Sequence, residues 1–363
     1  MSKIAQIWGR VQAVLFPHLE RCLDEPLTDK QRRVAAILEV VRVEQQVPAA
    51  SLQWIGRPPQ DRRAVARAFV VKAVYNLPTT KLLVEMLRTQ ANLRRICGWE
   101  YPGEVPSEST FSRGFAEFAA GKLADRVHEA LVAEHFAGEL VCHISRDATE
   151  IEAREKPRRK PPQAPQQPKR RGRPGKGELR ERQLTRLEKQ VTQTAQEALA
   201  QLPTACDVGT KRNSQGYQQS WIGYKLHLDV ADGGLPTAAL TTSASLHDSQ
   251  AAVPLEKLSA SRVTSLYALM DRAYDAKPIR QVCRELEHVP IIDVNGRGKK
   301  VVGFDPAAAV RYRERTTVER VYGRLKDEFG GRQVWVRGHC KVHAHLMFGV
   351  IALFADQLLK LAT

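Results

Sequence analysis

The feature that most restricts how this chain can fold is a break inside it. Residues 154–178, REKPRRKPPQAPQQPKRRGRPGKGE, are dense in proline, lysine and arginine. A stretch of this composition can bury no core and is expected to be disordered when free. A β-prone run, LVCHISRDATEIEA, precedes it, and further β-prone runs, SWIGYKLHLDVA and PTAALTTSAS, follow it around the turn ADGGL. Any sheet must therefore combine strands from both sides of an excursion at about residues 154–183.

Charge points to a partner. A formal net charge of +16 on 363 residues suits a polyanion, with nucleic acid first and an anionic membrane surface second. Six scattered cysteines (22, 97, 142, 206, 283 and 340) without a C-x-x-C pair read as reduced thiols of a cytosolic protein. The start, MSKIAQIWGRVQAVLF, is interrupted by Arg10 and has no small-residue cleavage site, so no signal peptide is expected. The most apolar segment, HLMFGVIALFADQLLKL, carries Asp356 and Gln357, is too short to span a bilayer, and reads as a buried core helix.

Residues 1–136 read as helices. Thr28 followed by Gln31 forms a capping box before VAAILEVV, Pro59 opens a second helix, and Thr79 or Thr80 starts a third, KLLVEMLRTQANLRRI. Ser107 is expected to cap ESTFSRGFAEFAA, and another helix runs from Lys122 to about Phe136. The segments 82–96 and 107–119 form a helix-turn-helix-like pair, the second presenting Ser109, Thr110 and Arg113 near its start. Their connection is longer than the usual turn, and an ordinary helical bundle is the alternative.

From residue 139 the expected order is three strands, helix, strand, helix, strand, helix, an α/β arrangement. The last part contains RYRERTTVERVYGRLK, residues 311–326, read as one helix. Tyr312, Arg315, Glu319, Tyr322 and Lys326 then share a face. Without further context such a face is a solvated, salt-bridged one. Upstream, however, Asp147 and Asp271 lie at or near the ends of apolar β-prone runs. Two strand aspartates and a helix glutamate make a hard-oxygen site for a pair of Mg²⁺ ions, the chemistry of phosphodiester cleavage and transfer.

The pattern Tyr312-x2-Arg315-x3-Glu319-x6-Lys326 resembles the signature of DDE transposases of bacterial insertion sequences, the insertion-sequence-four type. The resemblance covers about residue 140 to the C-terminus and, more weakly, the helical N-terminal part. It implies a ribonuclease-H-like catalytic domain (137–363) preceded by an all-α DNA-binding domain (1–136). It also implies Asp147, Asp271 and Glu319 as catalytic metal ligands, with Mn²⁺ able to replace Mg²⁺. Tyr312, Arg315 and Lys326 would grip DNA phosphates beside the scissile bond. Tyr322, outside the signature, would stack on a displaced base or simply pack. Gly223–His227 is similar to the strand beside the first aspartate strand, and His247-Asp248 to a supporting polar pair.

Arg171-Gly172-Arg173-Pro174 resembles an AT-hook core, the alternative being a flexible basic loop holding phosphates without sequence preference. Glu150, Glu152 and Asp275 are rival or supporting carboxylates, and Glu314 points away from the shared face. The spacing of His339, Cys340, His343 and His345 fits no common zinc pattern. The function implied is binding of the element's own terminal inverted repeats, metal-dependent cleavage, and joining to target DNA. A homodimer on DNA in a bacterial cytoplasm, associated with the nucleoid, goes with it. The rivals are a non-catalytic DNA-binding relic or repressor and a related metal-dependent endonuclease.

Overall fold

A computed structural model describes residues 26–48, 60–158, 183–212, 215–294, 296 and 303–362. Pro59, Arg171 and Arg173 lie outside the described residues.

The described chain up to Phe136 is helical: α1 (Asp29–Val41), α2 (Arg62–Val74), α3 (Thr80–Thr89), α4 (Ala91–Cys97), α5 (Glu108–Ala120) and α6 (Leu123–Phe136). The capping box at α1 forms as the residues predict. Gln31 N–H donates to Thr28 Oγ1 (3.2 Å) and Thr28 N–H to Gln31 Oε1 (3.0 Å).

The third expected helix divides at Gln90, whose backbone is extended. The buried Arg94 guanidinium takes up the carbonyls of Leu87 (3.3 Å) and Arg88 (3.2 Å), satisfying the end of α3 and making the break affordable. At α5, Ser107 occupies the cap position, but its hydroxyl bonds those of Ser109 and Thr110 rather than the helix backbone.

The sheet contains β1 (Leu140–Glu152), β2 (Asp207–Arg212), β3 (Gln218–Ala231), β4 (Leu235–Ser243), β5 (Thr264–Met270) and β6 (Val289–Ile292). Antiparallel β4–β3–β1 continues into parallel β1–β5–β6, and β2 extends the far end of β3. LVCHISRDATEIE is one long strand. Gly223 (φ +153°) lets β3 cross close to β1, since a Cβ there would lie 2.1 Å from the Ile151 carbonyl oxygen.

The polar run after the break forms α7 (Arg186–Thr192) and α8 (Ala195–Ala200), each opened by a Thr/Glu capping box. The remaining helices are α9 (Ser249–Ala260), α10 (Lys277–Glu285), α11 (Pro306–Tyr312), α12 (Thr316–Glu328) and α13 (His339–Ala362). The expected single helix over 311–326 is α11, a 3₁₀ turn (Arg313–Arg315) and α12 in continuous helical conformation. The tighter turn rotates Tyr312 relative to the face that carries Glu319.

Helix α13 is long and apolar enough to cross a membrane, but it is a core element. It packs against α1, α2, α5, α6, α12 and β4. One buried cluster consequently runs from Val34 through the sheet to Leu358. Phe348 of α13 meets Phe69 of α2 (5.7 Å between ring centroids) and Phe115 of α5 (6.2 Å).

Because this cluster is shared, Phe348→Ala is expected to cost about 3–5 kcal/mol. In urea denaturation, helical and sheet signals should fall together at a lower midpoint. A loss below about 1 kcal/mol would show that the cluster relaxes around the void.

Candidate active site

Asp147 and Asp271 are brought together by strand register. In the parallel pair β1–β5, Ser145 lies opposite Leu269, and each aspartate is two residues further on. The β1–β5 pairing stops at Ser145, so β1 continues past the end of β5 paired with β3 on its other edge, and the two carboxylates stand where the sheet opens.

Each carboxylate is held by its own backbone. Asp147 Oδ1 accepts from Ala148 N–H (2.8 Å) and Asp271 Oδ1 from Ala273 N–H (2.9 Å). Burial, with the charge of Asp271 added, pushes Asp147 up to about 7, against the pull of the Ala148 N–H and Arg315. Burial likewise raises Asp271. Among the described residues no Lys or Arg nitrogen lies within 4 Å of Asp271.

The third carboxylate arrives on α12. Arg315 spans the gap, with Nη2 2.5 Å from Glu319 Oε1 and Nη1 4.0 Å from Asp147 Oδ2. Glu319 itself is half exposed. Hard-oxygen donors, two of them destabilised in the charged form, make a set whose repulsion a divalent cation would relieve. By donor chemistry the three carboxylates suit such an ion, but their oxygens do not all lie within 4.8 Å of one another.

Helix α12 is pinned to β1 by Tyr322. Its buried hydroxyl lies 2.6 Å from the Asp147 carbonyl and 3.1 Å from that of Leu226, and accepts from Leu228 N–H (2.9 Å). Of the two roles expected for Tyr322, packing is the one seen: the residue is 5% exposed and its hydroxyl is held by backbone groups. Ser145 Oγ adds a second tie, donating to the Glu314 carbonyl (3.0 Å).

Of the expected DNA-contacting residues, Arg315 touches the acids, Tyr312 and Lys326 lie on the same helical stretch, and Arg113 lies apart on α5. Lys326 pairs with Glu150 (3.2 Å), and Lys211 of β2 holds the other Glu150 oxygen (2.8 Å). Burial opposes ionisation of Glu150, but the bonds from Lys211 and Lys326 keep its carboxyl at about 2. Tyr312 packs on Phe304 (4.7 Å), with the Arg315 guanidinium 5.8 Å from its ring. Arg113 is exposed on α5 and bonds Thr110 Oγ1 (3.2 Å).

One contributor, Lys211, escaped sequence reasoning, whereas Lys225 and Asp248 lie in the two pieces expected to be supporting. Lys225 donates to Asp248 (2.8 Å), whose charge acts on both Asp147 and Asp271. The alternation Lys225, His227, Asp229 in β3 was a signal that this strand carries polar groups on an inward face. Lys211 gave no signal of its own.

The other metal-capable groups are accounted for differently. His339 bonds the Thr241 carbonyl (2.8 Å), His343 bonds Asp125 (2.7 Å) and Thr241 Oγ1 (2.9 Å), and His345 bonds the Gly330 carbonyl (2.9 Å). Cys142, His143 and Asp232 also cluster. There the ring joins Asp232 (3.0 Å) while Arg311 approaches the sulfur (3.9 Å), a softer set than Mg²⁺ takes. Asp275 pairs with Arg280 (2.9 Å).

The charge state of Asp147 yields a stability prediction. Its folded value lies above the ordinary 3.8, so stability is present below that value and is lost as pH rises towards 7. In metal-free buffer Asp147→Asn should therefore melt about 2–4 °C higher than wild type at pH 8, the difference vanishing near pH 4. An unchanged melting temperature at pH 8 would count against a strained carboxylate.

A family model described as a transposase DDE domain matches residues 142–355, and a second, described as a transposase domain, matches residues 21–117. No curated protein and no solved structure matches the chain. The first match covers β1, where Asp147 lies, through most of α13, so the chain belongs to the DDE transposase-domain family.

Proposed function

We propose that this chain is an insertion-sequence transposase of the insertion-sequence-four type. It binds the terminal inverted repeats of its own element, cleaves there, and joins the ends to target DNA. The observation that carries the reading is the meeting of Asp147 and Asp271 at matched positions of parallel strands, with Arg315 linking Asp147 to Glu319. The sheet order β4–β3–β1–β5–β6, antiparallel then parallel, supports a ribonuclease-H-like catalytic domain over 137–363. The helices within 1–136 would form the DNA-binding domain, with Arg113 on an exposed helix face.

Asp147, Asp271 and Glu319 are the proposed ligands of two Mg²⁺ ions, replaceable by Mn²⁺. When bound, such ions supply Lewis acidity at the attacking and leaving oxygens. The chain's own residues do the rest. The Tyr322 and Ser145 ties hold the signature helix against the aspartate strand, so that Glu319 faces the same opening. Arg315 offers a bidentate fork and Lys326 a point charge to phosphates beside the scissile bond, Lys326 exchanging Glu150 for DNA. Tyr312 adds a further contact, and Arg171 and Arg173 extend the basic surface. Cutting two ends together requires a synapsed pair, hence a homodimer on DNA. The work is done on the bacterial nucleoid in the cytoplasm.

The test is a labelled duplex carrying the element's end, with Mg²⁺ or Mn²⁺. Wild type should nick at the end and, given target DNA, join it; Asp147→Ala should bind but not nick. Specific binding with no cleavage by wild type in either metal would reduce the protein to a DNA-binding relic. Lys326→Ala should weaken DNA binding and lower the slope of log K against log salt by about 1. An unaltered slope would remove Lys326 from the phosphate contacts.

A further inference from the structure

Two contacts lay the outer end of β1 beside the stretch that joins α12 to α13. Lys326, near the end of α12, pairs with Glu150, and past that helix the Trp335 ring lies under the Arg154 guanidinium, 4.8 Å from its centroid. Arg337 Nε donates to the Arg154 carbonyl (2.9 Å) and Gly338 N–H to Glu155 Oε1 (3.2 Å), fixing the joining stretch to the strand. Val334 is buried and Val336 packs partly into the core, while Trp335 between them is turned outward and 47% exposed.

The surface around this ring is basic. Lys211, Arg154, Arg332 and Arg337 are all exposed. The acids nearby are already taken: Glu150 holds Lys211 and Lys326, Asp327 holds Arg332, and Glu155 accepts from the Tyr224 hydroxyl (2.6 Å). Among the described residues neither Arg154 nor Arg337 pairs with a carboxylate. An anchored aromatic ring among such guanidinium groups matches the two parts of a nucleic-acid strand, bases that stack and phosphates that carry charge. Arg154 stands seven residues past Asp147 along the line of β1, about 23 Å at the strand rise, so this surface lies apart from the carboxylate centre.

We propose that Arg154, Trp335 and Arg337, with Lys211 beside them, hold a single strand of DNA that extends from the carboxylate centre. An unpaired base stacks on the Trp335 ring, and the guanidinium groups meet the phosphates. That the polyanion is DNA rests on the transposase reading above. A single strand fits better than a duplex, because paired bases are already stacked on one another and offer the ring no face.

The experiment uses the full-length protein in EDTA, so that no strand is cut. The probes are a labelled oligo-dT strand of about 16 nucleotides and a duplex of the same length, followed by fluorescence anisotropy. Trp335→Ala should bind the strand about 10-fold more weakly and the duplex within about twofold of wild type. Arg154→Ala should lower the slope of log K against log salt for the strand by about 0.7. Trp335→Tyr keeps a ring, so its strand affinity should stay within about threefold of wild type, while the quenching of tryptophan emission by the strand is lost.

Strand affinity unchanged in Trp335→Ala, equal weakening on strand and duplex, or quenching retained in Trp335→Tyr would each overturn the proposal. Cleavage of the element's end by wild type without the Trp335 effects removes this surface alone. The Trp335 effects without cleavage in Mg²⁺ or Mn²⁺ remove the transposase reading and leave the strand-binding surface in place.

Discussion

The hydroxyl of Tyr322 is the contact on which the geometry of the site depends. It joins the backbone of β1 at Asp147 to that of β3 at Leu226 and Leu228, opposite one another in the ladder. Glu319 lies one helical turn before Tyr322, so fixing the phenol fixes the height of Glu319 above the sheet. Arg315, a further turn back, then falls between Glu319 and Asp147. Slippage of α12 by one turn would move these side chains by about 5 Å and separate the acids.

The two faces of β1 solve opposite electrostatic problems. Asp147 looks into the opening, where nothing in hydrogen-bonding reach neutralises it. Arg146, on the other face, is fully buried and forms a bidentate pair with Asp229 (2.7 and 2.6 Å) and a further contact with Glu256 (2.6 Å). Glu256 in turn holds His288 (2.6 Å). Deep ion groups of this kind tolerate little displacement, since losing one partner strands the other in low dielectric. They lock β1, β3 and α9 together; β1 and β3 carry Asp147 and Lys225, and Asp248 immediately precedes α9.

Much of the fold was legible because apolar periodicity carries it. The long strands, the Thr28 capping box and the apolar core helix follow from local pattern, and the third helix needed only its division at Gln90. That division depends on Arg94 folding back onto α3, a long side chain whose target cannot be inferred from spacing. Strand β2, DVGTKR, is polar and exists because β3 extends past β4 and offers it an edge. At the site, the residue types and spacing of Tyr312, Arg315, Glu319 and Lys326 were visible. Their partners were not: Glu150 beneath Lys326, Lys225 on Asp248 and the backbone bonds of Tyr322 are tertiary facts, created by strand register.

The position of α13 bears on how the polypeptide can mature. Residues 339–362 are the shared packing partner of four N-terminal helices, β4 and α12. The early helices therefore keep apolar faces, including Phe69 and Phe115, uncovered until more than three hundred residues have left the ribosome. Folding unit by unit during synthesis is closed to such a chain, and the exposed intermediate is one that chaperones would hold. The acidic cluster is formed equally late, because α12 precedes α13 directly. The nascent protein would thus lack that cluster until its core closes.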